Sequence, residues 1–543
     1  MSLNIDIYLM LMDHLDSLSD ISALMRSCKT LCALGAKRLL LPGVTIRSDA
    51  ALVSFSRFML RDLAARSPHL HRLFLCIELQ LIDDDGSGSV YACDPEIIEQ
   101  EMLKGGRLLY RVLRRATSLQ HLTVHFCEEL LEREESLVDA LVALESVRYL
   151  HISSYGLRAH EVVAEIHSPL VHINVDCASS ADQAVEIGHA LARHRETLEK
   201  ITAWDVNLLV ELVEEDDDIV FPRVHSLCLR SSLTLDLSYL VGTFPNVRSL
   251  EVVNVYLEDG SPSENASQLR DRNLATTDTW CGLDYLCGDE WSIYILGLQC
   301  PVKRLDVTLD GMGWLGPPVA NVRPTHFLLH CGFAEEAHSG SFLWELPEEL
   351  VGMNGSITHL GLDLCTNGLE ADVGVIMPSI IRYIAAASSL TFFALRMRAL
   401  PLEEESAYAR SDSRYPTAPA LPPTTRKMLR SLGGTDVLPI WVRGMAKAAP
   451  ALQYITFDLE GYAPSCWQIV ASAEDPSRIV VAPLDQEEGE VIARAEGMEW
   501  RRREPEPPRF DEDKMVERGI PDEEDEWARN EDCEDSESED DSD

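Results

Sequence analysis

Two segments, FPRVHSLCL from Phe221 and FPNVRSLEV from Phe244, lie 23 residues apart and share the pattern F-P-x-V-x-S-L. A chain that repeats an apolar pattern at a short interval folds as stacked copies of one unit, because a unit that small cannot bury its apolar face alone. Generalised to an apolar residue followed by apolar residues at plus 3 and plus 5, the pattern begins at Leu41, Leu70, Leu119, Val147, Leu170, Leu198, Val224, Val247, Val302, Pro324, Ile357, Leu390 and Leu452. The triplet alone is weak, since an apolar content of 46% yields roughly 50 accidental matches along the chain. Its frame adds specificity. Proline stands one or two residues before six of these positions, at Pro68, Pro169, Pro222, Pro245, Pro301 and Pro450, where a helix stops and an extended segment begins. Stretches with helical periodicity lie between them, such as PEIIEQEMLKGGRLLYRVLRRA from Pro95 and SADQAVEIGHALARHRETLEK from Ser180.

Strand then helix, at intervals mostly of 22 to 33 residues, resembles a leucine-rich repeat over residues 41 to 462. The family's Asn or Cys at plus 8 occurs only at Cys127 and Cys365. The expectation is therefore an α/β fold, an irregular leucine-rich-repeat-like solenoid over 41–503, without a regular asparagine ladder. Three intervals, of 49, 55 and 62 residues after Leu70, Val247 and Leu390, are too long for one unit. They are read as insertions near 80–94, 258–282 and 401–425, the last rich in Pro, Ser and charge.

Ahead of the repeats, residues 1–40 carry apolar residues at helical spacing, with Ser19 or Asp20 as an N-cap. One reading is a cap for the repeats. The segment also resembles an F-box, which opens L-P-x-E-[LI], continues L-x-x-I-[LF]-x-x-L and D-L, and ends in C-[KR] before Trp. Leu3, Asn4, Ile5, Asp6 and Ile7, then Leu11, Leu15, Asp20, Ile21, Cys28 and Lys29 follow that pattern. Asn4 departs from the family's proline, and Leu31 stands near its tryptophan. The resemblance implies a substrate receptor of a cullin-RING ubiquitin ligase, with a Skp-type adaptor and cullin as partners. It places adaptor contacts at Leu3, Asn4, Ile5, Ile7, Leu11, Leu15, Ile21, Leu24 and Cys28.

In each repeat strand, plus 3 and plus 5 point to the core and plus 2, plus 4 and plus 6 point outward. The plus 2 row is Gly43, Arg72, His121, Tyr149, His172, Lys200, Ser226, Ser249, Arg304, His326, His359, Phe392 and Tyr454. Seven of these thirteen are Arg, Lys or His and none is acidic, a stripe suited to an acidic or phosphorylated peptide. The expected substrate-binding set is Arg72, His121, Tyr149, His172, Lys200, Trp204, Arg304, His326 and His359. A plainer reading is that these side chains only cover the strand starts with their aliphatic and ring surfaces.

The formal charge of -43 argues against nucleic acid as the ligand. Residues 504–543 hold 20 acidic against 4 basic residues, and such a tail is expected to be disordered. The plain reading is a solubilising tail; the sharper ones are that it binds a basic partner such as a histone, or is phosphorylated at Ser536, Ser538 or Ser542. A repeat scaffold or histone-binding protein outside any ligase is accordingly the alternative function, with a GTPase-activating repeat protein third. The apolar start is interrupted at Asp13 and His14, and no stretch reaches membrane length, so neither a signal peptide nor a membrane partner is expected. With 14 cysteines and no C-x-x-C pair, the expected location is cytoplasmic, nuclear or both.

No catalytic residue and no cofactor are expected. Gly311 to Gly316 satisfies G-x-G-x-x-G, but Pro317 and Pro318 argue against the helix a dinucleotide needs, so the segment is read as a turn. DDDGSGSVYACD, from Asp83, matches a calcium loop through Asp83, Asp85, Ser87 and Asp94. The residues entering it carry the strand signature Leu70, Leu73 and Leu75, and Asp94-Pro95-Glu96 reads as a helix start. The loop is therefore read as the tip of an insertion, with weak calcium binding as the secondary reading.

Overall fold

The computed structural model describes residues 5–15, 18–77, 105–177, 187–204, 219–230, 236–255, 262–276, 279–309, 316–332, 356–366, 373–399, 437–460, 462–471 and 479–500. These form a mixed α/β fold in two compact units that divide between His125 and Phe126.

The first unit opens with helices Ile5–Asp13, Leu18–Met25 and Lys29–Leu40. They bury Met12, Ile21, Met25, Leu31, Ala36 and Leu39 against one another, with Phe58 of helix Asp49–Arg61 closing the cluster. Gly43 then turns the chain into the first strand. Its φ of 108° lies in the left-handed region, and a Cβ there would stand 3.1 Å from that of Arg72. Strands β1 (Val44–Ile46), β2 (Arg72–Leu75) and β3 (His121–Val124) pair in parallel, with Arg72 opposite His121. Helix Asp49–Arg61 and a helix over 105–113 follow β1 and precede β3. Ser48 caps the former by accepting from the Ala51 amide.

The second unit is a parallel sheet in chain order. Its strands are β4 (Tyr149–Ser153), β5 (His172–Asp176), β6 (Lys200–Trp204), β7 (Ser226–Arg230), β8 (Ser249–Val253), β9 (Leu283–Asp289), β10 (Val302–Leu309), β11 (His326–Gly332), β12 (His359–Thr366), β13 (Phe392–Ala399) and β14 (Tyr454–Leu459). Two strands that the repeat pattern does not contain follow: β15 (Ser465–Ala471) pairs antiparallel with β14, and β16 (Ile479–Leu484) pairs antiparallel with β15. Plus 3 and plus 5 are buried as their alternation requires, for example Leu150 and Ile152, Leu305 and Val307, or Phe393 and Leu395. Phe221 and Phe244, the aromatic residues of the founding pair, are buried and stacked at 5.3 Å, one unit upon the next.

The polar stretch from Glu258 is not an insertion. It contains helix Pro262–Ala275 and leads into β9, a complete further strand-helix unit. The pattern conceals it because plus 5 of this strand is Gly288, where a Cβ would meet the Val252 carbonyl oxygen at 2.3 Å. Trp280 holds the place of Phe244 in that frame, buried and donating to the Phe244 carbonyl at 2.8 Å. Pro317 and Pro318, expected to argue against a helix, do not prevent one. Helix Gly316–Val322 takes both prolines in its first turn, where their missing N–H groups leave no intrahelical bond unmade.

In place of an asparagine ladder, varied buried and half-buried polar groups tie units together. Asn273 accepts from the Leu237 amide and donates to the Ile295 carbonyl. Ser168 accepts from the Val147 amide and donates to the Leu144 carbonyl. The Glu128 carboxylate takes the amides of Arg158 and Ala159 at the start of helix Leu157–Glu165, across Gly156. Asp289 caps helix Glu290–Leu296 through Ser292 and also accepts from the Asn254 amide.

Candidate functional site

The strand register places the predicted row in a lateral line. In the second unit Tyr149, His172, Lys200, Ser226, Ser249, Tyr285, Arg304, His326, His359, Phe392 and Tyr454 stand opposite one another in turn. Neighbours in such a line are about 4.8 Å apart, close enough to act as one surface. Arg72 and His121 hold the equivalent positions in the first unit.

The row divides into an open and a covered stretch. Over β4 to β8 Tyr149 is 40% exposed and meets the His172 ring edge-on at 5.9 Å, and Lys200 is exposed. Four residues further along β6, Trp204 is 37% exposed beneath the Arg230 guanidinium, which lies 4.3 Å from the ring centroid. Arg230 is held there by an ion pair with Glu251. A cation over an indole, with the cation oriented by a carboxylate, joins ring and charge in one surface. Arg230 was not anticipated, although its place at plus 6 beside Trp204 is a legible signal.

Over β10 to β13 the same line is covered by the chain itself. Helix Gln486–Ala495 ends in a Schellman motif, with Gly497 at φ 66° donating to the Arg494 carbonyl and Met498 to the Ala493 carbonyl. This reversal lays residues 496–500 on the sheet. Arg304, paired with both oxygens of Asp306, donates to the Gly497 carbonyl. His326 meets the Glu496 carbonyl at 3.0 Å, and His359 meets the Glu496 carboxylate at 2.9 Å. A carbonyl only accepts, so His326 carries a proton on Nε2. Met498, 1% exposed, fills an apolar dip formed by Leu328, Phe392 and Ala394. Trp500 sits above Gly361, with Arg396 5.6 Å from its ring centroid and the His330 ring at its edge.

The electrostatics of the covered stretch follow from burial and near neighbours. The His326 and His359 rings stack at 4.0 Å. Burial, reinforced by the neighbouring His359, pulls the His326 pKa down to about 4, so the ring is neutral at pH 7. Burial alone would raise the Asp363 carboxyl, but hydrogen bonds from His330 and Arg398 outweigh it and hold the group below its usual range.

The predicted site residues therefore separate. Tyr149, His172, Lys200 and Trp204 share the open stretch, while Arg72 and His121 lie in the first unit. Arg304, His326 and His359, expected to face a substrate, instead hold residues 496–500. His359 is only 8% exposed. Of the proposed adaptor contacts, Ile21 is buried in the cluster of the first three helices, with Leu15 and Leu24 packed against it. Ile7 and Leu11 are 44% and 49% exposed on the first helix, on one face with Met10, which the motif does not specify. Ile5 opens that helix and Cys28 is exposed at the N-cap of the third. Leu3, Asn4, the calcium-loop positions Asp83, Asp85, Ser87 and Asp94, and Ser536, Ser538 and Ser542 lie outside the described residues.

Among the described residues no group of three or more His, Cys, Asp or Glu is placed to hold a metal, and no helix is long and apolar enough to cross a membrane. Compared with known proteins, the chain matches no family model and no curated protein.

Proposed function

We propose that this chain is a non-catalytic protein-recognition subunit of an SCF-type ubiquitin ligase, built as a leucine-rich-repeat-like solenoid behind an F-box-like module. The observation that carries the recognition half is the open stretch of the row, where Tyr149, His172, Lys200 and Trp204 with Arg230 present rings and cations side by side. Such a surface suits an acidic segment of a captured protein. The adaptor half is supported by the F-box resemblance and by the exposed apolar group Ile7, Met10 and Leu11 on a module whose Met12, Ile21, Met25, Leu31, Ala36 and Leu39 are packed inward. The acidic tail of 504–543 supports a second reading, a scaffold that binds basic proteins such as histones.

Affinity capture of the tagged full chain from cell extract separates these readings. Adaptor and cullin are expected with the natural chain and lost with Ile7→Asp, Leu11→Asp, substitutions at exposed positions that leave the fold intact. A further protein is expected that depends on Tyr149, Lys200 and Trp204 and is lost when all three become alanine. Recovery of histones alone, unaffected by either set and lost on deleting 504–543, refutes the ligase reading.

A further inference from the structure

The covered stretch of the row differs from a surface that merely needs shielding from water. Apolar burial would suffice for that, yet three polar side chains beneath residues 496–500 each meet a specific partner in the segment. Arg304 holds one main-chain carbonyl, His326 a second and His359 a carboxylate. The supports for these groups are themselves built in. Asp306 aligns Arg304 through two bonds, and the Tyr285 hydroxyl donates to the same carboxylate. Between the polar contacts lies one deep apolar dip, filled by Met498, and beyond it a platform for an indole. Gly361 makes the platform possible, since a Cβ there would stand 3.3 Å from the Trp500 ring. Main-chain carbonyls for affinity with side-chain pockets for specificity is how peptide-recognition surfaces are made.

We propose that the outward face of β10 to β13 is a peptide-binding groove and that residues 496–500 are its resident ligand, closing it until a partner segment of the same chemistry displaces them. The partner class is read from the occupant: an acidic residue, glycine, methionine or another unbranched apolar residue, any residue, then an aromatic. This rests on reading the sheet face as a protein-binding surface and does not depend on the adaptor.

The local architecture permits such an exchange. Helix Gln486–Ala495 is anchored on β15, where Gly489 lies so close to Cys466 that a Cβ would stand 2.5 Å from its own Cβ. The five residues beyond it turn on Gly497, whose left-handed conformation other residues rarely adopt. When 496–500 lift, the helix keeps its anchor at Cys466 and the packing of Ile492 and Ala493 on the cluster of Leu328, Phe392 and Ala394. A resident ligand also weakens a partner in a defined way, because the apparent dissociation constant rises as the fraction of open groove falls.

The test uses the full chain and a fluorescein-labelled peptide ARAEGMEW, identical to residues 493–500, with binding read by fluorescence anisotropy. In the variant Met498→Asp, Trp500→Ala the resident segment loses both anchors. Saturable peptide binding is expected there, at least roughly tenfold tighter than to the natural chain. Adding Arg304→Ala and His359→Ala to that variant is expected to abolish it. Absence of binding to the opened variant, with its melting midpoint unchanged, overturns the proposal, as does equal binding to both chains. If the variant fails to fold, hydrogen exchange in the natural chain decides. Amides of 496–500 exchanging through a local opening faster than β10 to β13 support the proposal, and exchange only with global unfolding overturns it. Failure here leaves capture through Ile7 and Leu11, or through Tyr149, Lys200 and Trp204, untouched, so the two readings fail separately.

Discussion

Met498→Ala puts a number on how firmly the covered groove is closed. The side chain is 1% exposed and packs against Leu328, Phe392 and Ala394, so truncation removes the segment's one fully buried apolar side chain among the described residues, leaving Trp500 at the edge of the same cluster. Burying a methionine contributes about 1.5 to 3 kcal/mol, and deleting it from a packed site costs about 2 kcal/mol at the lower end of large-to-small changes. The rest of the segment is held by the polar contacts to Arg304, His326 and His359 and by Trp500. The loss therefore falls first on local opening of 496–500 and not on the sheet. At about 1.4 kcal/mol per decade, 2 kcal/mol raises the open population about 30-fold. Native-state hydrogen exchange with mass spectrometry, read on a fragment spanning 493–500, should show a rise of that order. Fragments from β10 to β13 should keep their protection. Unchanged exchange at 496–500 would mean that Met498 does not hold the segment. Equal acceleration in segment and strands would mean that the two open together, and either result refutes the reasoning.

Three further outcomes follow from the same geometry. Gly288→Ala drives a methyl group against the Val252 carbonyl oxygen, 2.3 Å from the ideal Cβ, and should lower unfolding stability by about 2 kcal/mol or more in urea titration. Asp289→Ala removes a helix cap and leaves the Asn254 amide without its acceptor; a loss of about 2 to 3 kcal/mol is expected by thermal denaturation. His326 has a folded pKa near 4, below its unfolded value of about 6.5, so the unfolded chain binds the extra proton first. Its contribution is complete above about pH 6.5 and is lost as pH falls toward 4. His326→Gln should flatten stability against pH in that window, measured as urea midpoints; an unchanged slope would remove His326 as the cause.

Much of the fold can be read along the chain. The plus 2, plus 3 and plus 5 spacing depends only on the alternation of side chains in a strand, and it recovers the starts of β2 to β8 and of β10 to β14. Between them it passes over β9, which is lost where contact with a neighbour demands Gly288 and so removes the apolar residue from the pattern. Even there, Trp280 in the place of Phe244 carries the frame. The strands β15 and β16 lie outside the repeat: the runs on either side of Asp475-Pro476 are rich in β-branched residues but do not carry its frame.

The candidate site was legible only as a row of residues. Alternation assigns Arg304, His326 and His359 to the outward face, but a polar, partly aromatic row looks the same in sequence whether it faces solvent or another segment. The contacts that decide it join residues 137 to 193 positions apart, beyond any local periodicity. Sequence does specify the device that brings them together. Gly497 after a helical run ends the helix in a left-handed turn, and Leu328, Gly361 and Ala394 make an apolar strip in an otherwise polar row. By itself, then, the sequence determined strands, faces and helix ends, because these depend on near neighbours and backbone sterics. Only the tertiary structure decided which half of the row stays open, because covering a surface is a competition between distant segments for the same contacts.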